Sequence, residues 1–103
     1  MKTTVSAGTP TLVVSYNTTS ITDTGTGVLT WTITTDFSTA DWACTLGAER
    51  AATALAEANA RKVTVQFGGQ LAGSVILECN DDTVTTMLVK DPAAWHAAGM
   101  GDQ

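Results

Sequence analysis

Basic side chains are scarce in this chain: five Lys and Arg stand against ten Asp and Glu, a formal net charge of −5 over 103 residues. Affinity for a phosphate backbone comes from clustered Lys and Arg, so their absence excludes nucleic acid as an expected partner. Charge of either sign is low, at 15% of residues against 44% hydrophobic, which excludes a disordered chain and leaves neutral polar groups to cover the surface. No apolar run approaches the length of a membrane span, and Met1-Lys2 leads into Thr-Thr-Val-Ser and not into the apolar core of a signal peptide. The expectation is a protein made in the cytoplasm without secretory processing. His96 is the sole histidine, and no serine or cysteine sits in a nucleophile motif. A triad of Cys44 or Cys79 with His96 is a spatial possibility without sequence support, and we expect no enzyme, no cofactor and no metal.

The two cysteines, Cys44 and Cys79, each lie in an apolar, strand-like run, where a reduced thiol behaves as a small hydrophobe. Free buried thiols are the expectation, although a bridge is possible by count. Glu78, Asp81 and Asp82 are grouped, but the alternating Asp spacing of a calcium loop is missing; Asn80-Asp81-Asp82 reads as a turn held by side-chain to backbone hydrogen bonds. Gly25-Thr26-Gly27 and Gly68-Gly69 lead into no capped helix with a following Lys, so they read as strand-end glycines with positive φ and not as phosphate cradles. The Asn17-Thr18-Thr19 sequon matters only in a eukaryotic secretory pathway.

Threonine is abundant, with 20 of the 103 positions. A β-branched hydroxyl residue suits the solvent face of a strand and loses rotamer freedom in a helix. The clearest alternation places Leu29, Trp31 and Ile33 on one face and Thr30, Thr32 and Thr34 on the other. Further strands are expected at 11–16, 42–46, 62–67 (Val63, Val65 and Phe67 sharing a face), 73–78 (Val75 and Leu77 against Ile76 and Glu78), 85–90, and beyond the Asp91-Pro92 turn in 93–100. Residues 17–27 read as a long turn. Seven or eight short strands in one domain imply an all-β antiparallel sandwich spanning 11–103, with residues 1–10 as an N-terminal arm or connector. One interval breaks the pattern. From Gly47 to Lys62, eight of the sixteen residues are Ala or Leu, and Glu57 with Arg61 forms a favourable i,i+4 pair, so a short Ala-rich helix is expected at about 48–61.

Ser15, Tyr16, Asn17, Ser20, Ile21, Thr22, Asp23, Gly25, Thr26 and Gly27 follow a phrase, S-Y-N-x-x-S-I-T-D-x-G-T-G. In this the chain resembles the C-terminal ends of bacteriophage tail-fibre and related virion proteins. Looser matches follow at Asp36 to Ala43, Gly73 to Glu78, Asp91-Pro92 and Ala93 to Gln103. The resemblance implies a non-enzymatic module of the virion, a homotrimer that meets other virion proteins and a bacterial surface glycan or protein receptor during host attachment. A capsid decoration protein, with the arm of residues 1–10 lying on the shell, is the alternative. Trp31 reads as core; Trp42, Trp95 and His96 are the candidate contacts with a receptor or partner, because aromatic rings near a fibre tip can stack on sugars. For each tryptophan, packing is the simpler reading.

Overall fold

The alternation around Trp31 becomes a strand in the phase expected: in the computed structural model, which describes residues 1–83 and 88–103, Leu29, Trp31 and Ile33 are buried while the threonines between them are half-buried. That strand, β4 (Val28–Ile33), lies in the middle of one of two four-stranded antiparallel sheets. Its sheet has the order β3 (Thr18–Gly25), β4, β7 (Ser74–Asn80), β6 (Lys62–Leu71). The facing sheet has the order β2 (Thr9–Val14), β1 (Lys2–Ser6), β8 (Ala94–Met100), β5 (Ala43–Glu49). The described residues form a β-sandwich of eight strands, the all-β antiparallel fold that the sequence implied.

The inward side chains fill the space between the sheets. Leu29, Trp31 and Ile33 of β4 and Val75, Leu77 and Cys79 of β7 meet Trp95 and Ala97 of β8, with Phe37 and Trp42 closing one end. Val75 and Leu77 point inward and Ile76 and Glu78 outward, the phase expected from their alternation. Thr3 of β1 is fully buried, and its hydroxyl accepts the Trp95 main-chain N–H at 3.2 Å. This satisfies a donor that would otherwise be stranded in the core.

Several expectations give way to the structure. Residues 1–10 are not an arm: β1 pairs with β2 through Thr3 to Ser6 and with β8 through Lys2, so the segment belongs to the sandwich. Residues 18–25, read within a long turn, form β3. It is an edge strand whose side chains are mostly wet, so it carries no apolar alternation to betray it. The Ala-rich helix is absent. Residues 48 and 49 are held in the β5–β8 ladder, and of the remainder only Glu57–Asn59 makes a single 3₁₀ turn with no buried residue. Alanine lowers the cost of a helix, but a short helix persists in water only if a face is buried, and Leu55 is exposed here. Arg61 turns away from its expected i,i+4 partner and donates from Nε to the Asp91 carbonyl at 2.9 Å and from its terminal nitrogen to the Ala58 and Ala60 carbonyls.

Strand β6 also departs from its expected phase. Val65 pairs with Leu77 and Gln70 with Val75, so four residues of β6 bulge opposite the single Ile76. Gly68 adopts φ +70° there, and Phe67 is turned fully into solvent and away from the face of Val63 and Val65. Gly68 therefore serves a bulge within a strand, whereas Gly69 has no positive φ. Of the strand expected at 85–90, residues 84–87 lie outside the described residues; Val89 makes an isolated bridge to Asn80.

Candidate functional site

The phrase that carries the resemblance has local structural work to do. Asn17 sits at φ +51°, a conformation that Asn tolerates better than most residues. From there its Oδ1 accepts the Thr35 N–H at 2.7 Å, its Nδ2 donates to the Thr35 carbonyl at 3.1 Å, and its own carbonyl accepts the Thr34 N–H at 3.1 Å. Three bonds thus clamp the crossover between the sheets. Further on, Asp23 Oδ1 accepts the Gly25 N–H at 3.1 Å to start the β3–β4 hairpin. At Gly27, φ is +67°, and a Cβ would stand 2.5 Å from Val89 Cγ1, 2.7 Å from the Lys90 nitrogen and 2.8 Å from the Cys79 carbonyl. The Gly27 N–H donates to Asp91 Oδ1 at 2.6 Å. Glycine is the residue that fits that turn.

The crossover that Asn17 holds is also one wall of a cavity of about 210 Å³ at that end of the sandwich. Tyr16 and Asn17 form this wall, and Ala98 to Gly101 of β8 and the segment after it form the other. Trp31, Ile33 and Phe37 make the floor, with Met1 closing the inner end. The floor is rigid. Phe37 stacks on Trp42 with ring centroids 4.7 Å apart, Trp31 meets Trp42 edge-on at 6.1 Å, and the Trp42 indole donates to the Leu71 carbonyl at 2.9 Å. Gly99 and Gly101 permit the close approach, because a Cβ on Gly99 would fall 2.7 Å from the Trp42 ring and one on Gly101 2.8 Å from its Cβ. None of the side chains lining the cavity is charged. Its rim is apolar and wet, with Tyr16 88% and Met100 61% exposed.

The three residues expected to touch a partner are not brought together. Trp42 and Trp95 are buried, at 5% and 2% exposure, so neither ring has a face to offer a ligand. Trp95 belongs to β8, an inner strand between β1 and β5. His96 does face outward. Its Nε2 lies 3.4 Å from Glu49 Oε1, and the Lys2 ammonium lies 3.3 Å from the same oxygen; hydrogen bonding and charge from Lys2 first, then His96, hold the Glu49 carboxyl below its ordinary pKa. Cys44 pairs with Gly99 and points inward, on the opposite side of this sheet from His96. Both cysteines are free, and burial pushes each thiol up to about 11, far from the thiolate a nucleophile needs.

Of the Asn80-Asp81-Asp82 group, Asn80 ends β7 and the two aspartates follow it, with side-chain to backbone hydrogen bonds of the expected kind at Asp81. Asp81 is buried, and its Oδ1 accepts from the Thr83 hydroxyl at 3.0 Å and the Leu88 N–H at 3.1 Å. These bonds, led by the one from Leu88, hold its carboxyl below the ordinary value. Glu78 instead accepts from Gln66, and Asp82 pairs with Lys62 at 2.6 Å. Among the described residues no group of three or more His, Cys, Asp or Glu is placed to hold a metal ion, and no helix is long and apolar enough to cross a membrane.

Sequence reasoning missed Tyr16, Phe37 and Met100. The signal available was weak: Tyr16 stands in the phrase beside Asn17, but nothing in its spacing says that it is left in solvent. Searches against family models, curated proteins and solved structures found no match to this chain.

Proposed function

We propose that the protein is a non-enzymatic recognition module of a bacteriophage virion, of the tail-fibre kind, acting by surface contact at the end of the sandwich marked by Tyr16, Asn17 and Met100. The observation that carries the reading is a coincidence of place. Two of the ten residues that carry the resemblance, Tyr16 and Asn17, wall the cavity, at which the apolar side chains of Tyr16 and Met100 stand in solvent. Exposed aromatic and methionine side chains around a preformed apolar recess are the composition of a contact surface. Among the described residues the side chains lining the cavity include no acid, base or nucleophile, which favours contact over turnover.

The capsid decoration reading would lay residues 1–10 on the shell as an arm, and those residues are committed to β1 and the start of β2. It stands behind the fibre reading for that reason. A trimer remains part of the proposal, on the strength of the resemblance and of a surface with few charges to hold copies apart. The test is binding of the purified protein to susceptible bacterial cells and to their extracted surface polysaccharide, compared with assembled capsids. Binding to cells without shortening of the polymer, weakened by Tyr16→Ala, supports attachment; release of sugar fragments points to an enzyme, and binding to capsids alone points to decoration.

A further inference from the structure

The direction of the main-chain hydrogen bonds shows what the two edges of the sheet β3-β4-β7-β6 offer to a neighbour. The Cys79 N–H donates to the Gly27 carbonyl at 2.8 Å and the Cys79 carbonyl accepts the Lys90 N–H at 2.9 Å, so Cys79 turns its polar groups to the β4 side. In an antiparallel ladder that direction alternates along each strand. Glu78 and Asn80 therefore turn theirs to β6, where Thr64 and Lys62 meet them, and Val63 and Val65 are left with N–H and C=O aimed away from the sheet. The opposite edge follows in the same way. The Ile33 N–H donates to the Gly73 carbonyl and the Thr34 N–H to the Asn17 carbonyl, so Thr30 and Thr32 of β4 turn to Thr22 and Ser20 of β3, and Ile21 and Asp23 aim outward. Among the described residues no main-chain bond meets either outward pair. An open edge is a template for a further strand, and edges are commonly guarded by proline, lysine or bulges. Strand β3 has neither Pro nor Lys, and its register shifts lie outside Ser20 to Asp23; on β6, Lys62 stands at the start and the bulge follows Val65. Both edges thus keep a regular, unguarded stretch.

We infer that β6 of one copy of this chain pairs antiparallel with β3 of a second copy, and that this joint is the interface of the trimer. The inference rests on the trimer in the reading above and deepens it. Neighbouring strands of an antiparallel sheet run in opposite directions, so the two edges of a four-stranded sheet do so too, and β3 of the next copy continues the sheet beyond β6 without a change of pattern. The outward groups set the register: Val65 meets Ile21 and Val63 meets Asp23, each pair exchanging its hydrogen bonds, with Thr64 opposite Thr22 between them. Side chains fit the same register. Ile21, Val63 and Val65 are all half-buried against the core, and the pairing covers their open flanks. Charge fits too, since Lys62 arrives one position away from the Asp23 of the other copy. So short a ladder does not hold two copies by itself, because a standard interface takes about 800 Å² from each partner. The facing sheet supplies the rest. Its outer strands β5 and β2 lie against β6 and β3 and likewise run in opposite directions, so the same docking brings β5 to β2. Apolar side chains stand in solvent on both sides of this joint, Phe67 and Leu71 on β6 and Val13 and Val14 on β2. The contact is heterologous, a different surface on each partner, and in a trimer it closes as a ring.

The experiment is a crosslink across the joint. Thr22 and Thr64 are both exposed, and in this register they form the close, non-hydrogen-bonded kind of pair, with Cα atoms about 4.5 Å apart and inside the disulfide range of about 4.4–6.8 Å. The full chain carrying Thr22→Cys and Thr64→Cys together is weighed by light scattering at micromolar concentration, oxidised, and run on a denaturing gel without reductant. The expected product is a covalent trimer, with none from either single variant. Hydrogen exchange of the unsubstituted chain gives a second reading: the Ile21, Asp23, Val63 and Val65 amides are expected to slow at least about tenfold between dilute and assembled protein. A trimer by mass with neither crosslink nor slowed amides overturns the inference and leaves the trimer standing. Crosslinking of a single variant as readily as of the double one also overturns it, because like edges would then be meeting. The mass of one chain at every concentration removes both the joint and the trimer, and a covalent ladder running past three chains keeps the joint and removes the ring.

Discussion

Replacing Trp31 by alanine removes the largest side chain of the central strand β4, and the structure sets the size of the effect. The residue is 3% exposed between Leu29 and Ile33, lies edge-on to Trp42 at 6.1 Å, and donates its indole N–H to the Thr18 hydroxyl at 3.0 Å. A buried tryptophan withdraws about 200 Å² from water, worth about 5 kcal/mol as an upper bound, since the unfolded chain already hides part of that area. Measured truncations of this kind cost about 3–5 kcal/mol, and a domain of this size has about 5–15 kcal/mol to lose. Trp31→Phe divides the total. It keeps a ring in the site and loses mainly the hydrogen bond and some volume, and Thr18 is only half-buried and can turn to water, so the cost falls to about 1–2 kcal/mol. Urea unfolding followed by circular dichroism reads both values. With a slope of about 1–3 kcal/mol per molar, the alanine variant's midpoint moves down by about 2 M and the phenylalanine variant's by less than about 1 M. A Trp31→Ala midpoint unchanged from the parent, or equal losses in the two variants, refutes the packing argument.

Both thiols are expected to resist labelling in the native protein, with the rate rising about tenfold per pH unit until near 11, and two thiols to appear on denaturation without reductant. Because these pKa values are raised on folding from about 9 to about 11, the native state holds protons that the unfolded chain has released, and stability should fall as pH climbs through that window. Asp81 has the opposite sign: its folded value is depressed, so it stabilises above its unfolded value near 3.8 and the contribution is lost as pH falls through the folded one. Asp81→Asn should flatten that acid limb in melting temperatures taken between pH 2 and pH 6, a range about one to two units either side of an ordinary carboxylate. Gly27→Ala meets both a positive φ and three atoms within 2.8 Å, and a loss of about 2–4 kcal/mol in chemical denaturation is expected, against little for a substitution on the open outer face. Light scattering at micromolar concentration that returns about the mass of one 10.6 kDa chain would remove the trimer from the proposal.

What the sequence made legible was the core of the inner strands. Leu29, Trp31, Ile33, Val75 and Leu77 alternate because each faces a packed layer on one side only, and that constraint writes a period of two into the residues. Strand β3 has solvent around most of its side chains, so Thr18 to Gly25 shows no period and passes for a turn. In residues 48–61 local propensity argued for a helix, but the ladder with β8 claimed Ala48 and Glu49, and no surface was left on which an alanine face could be buried. The cavity was beyond reach of pattern reading. It depends on the register of β1 against β8, segments over 90 residues apart, and Trp95 and Trp42 could be sorted from Tyr16 only by packing.

The neighbouring places of β1 and β8 in their sheet bear on how the chain is made. The four strands β3, β4, β6 and β7 all lie between Thr18 and Asn80, so their sheet has every component before the last strand is synthesised. The other sheet does not: β1, near the start of the chain, waits for β8, near its end, to become its inner neighbour. Contacts so distant in sequence are slow to form. On a ribosome the first-made strand, with its buried Thr3, must stay loose or pair only with β2 until Ala94 to Met100 has left the exit tunnel. Closure of the sandwich thus waits for β8, and a nascent chain stalled before Trp95 presents the inner face of its finished sheet, Leu29, Trp31, Val75 and Leu77, to chaperones and proteases.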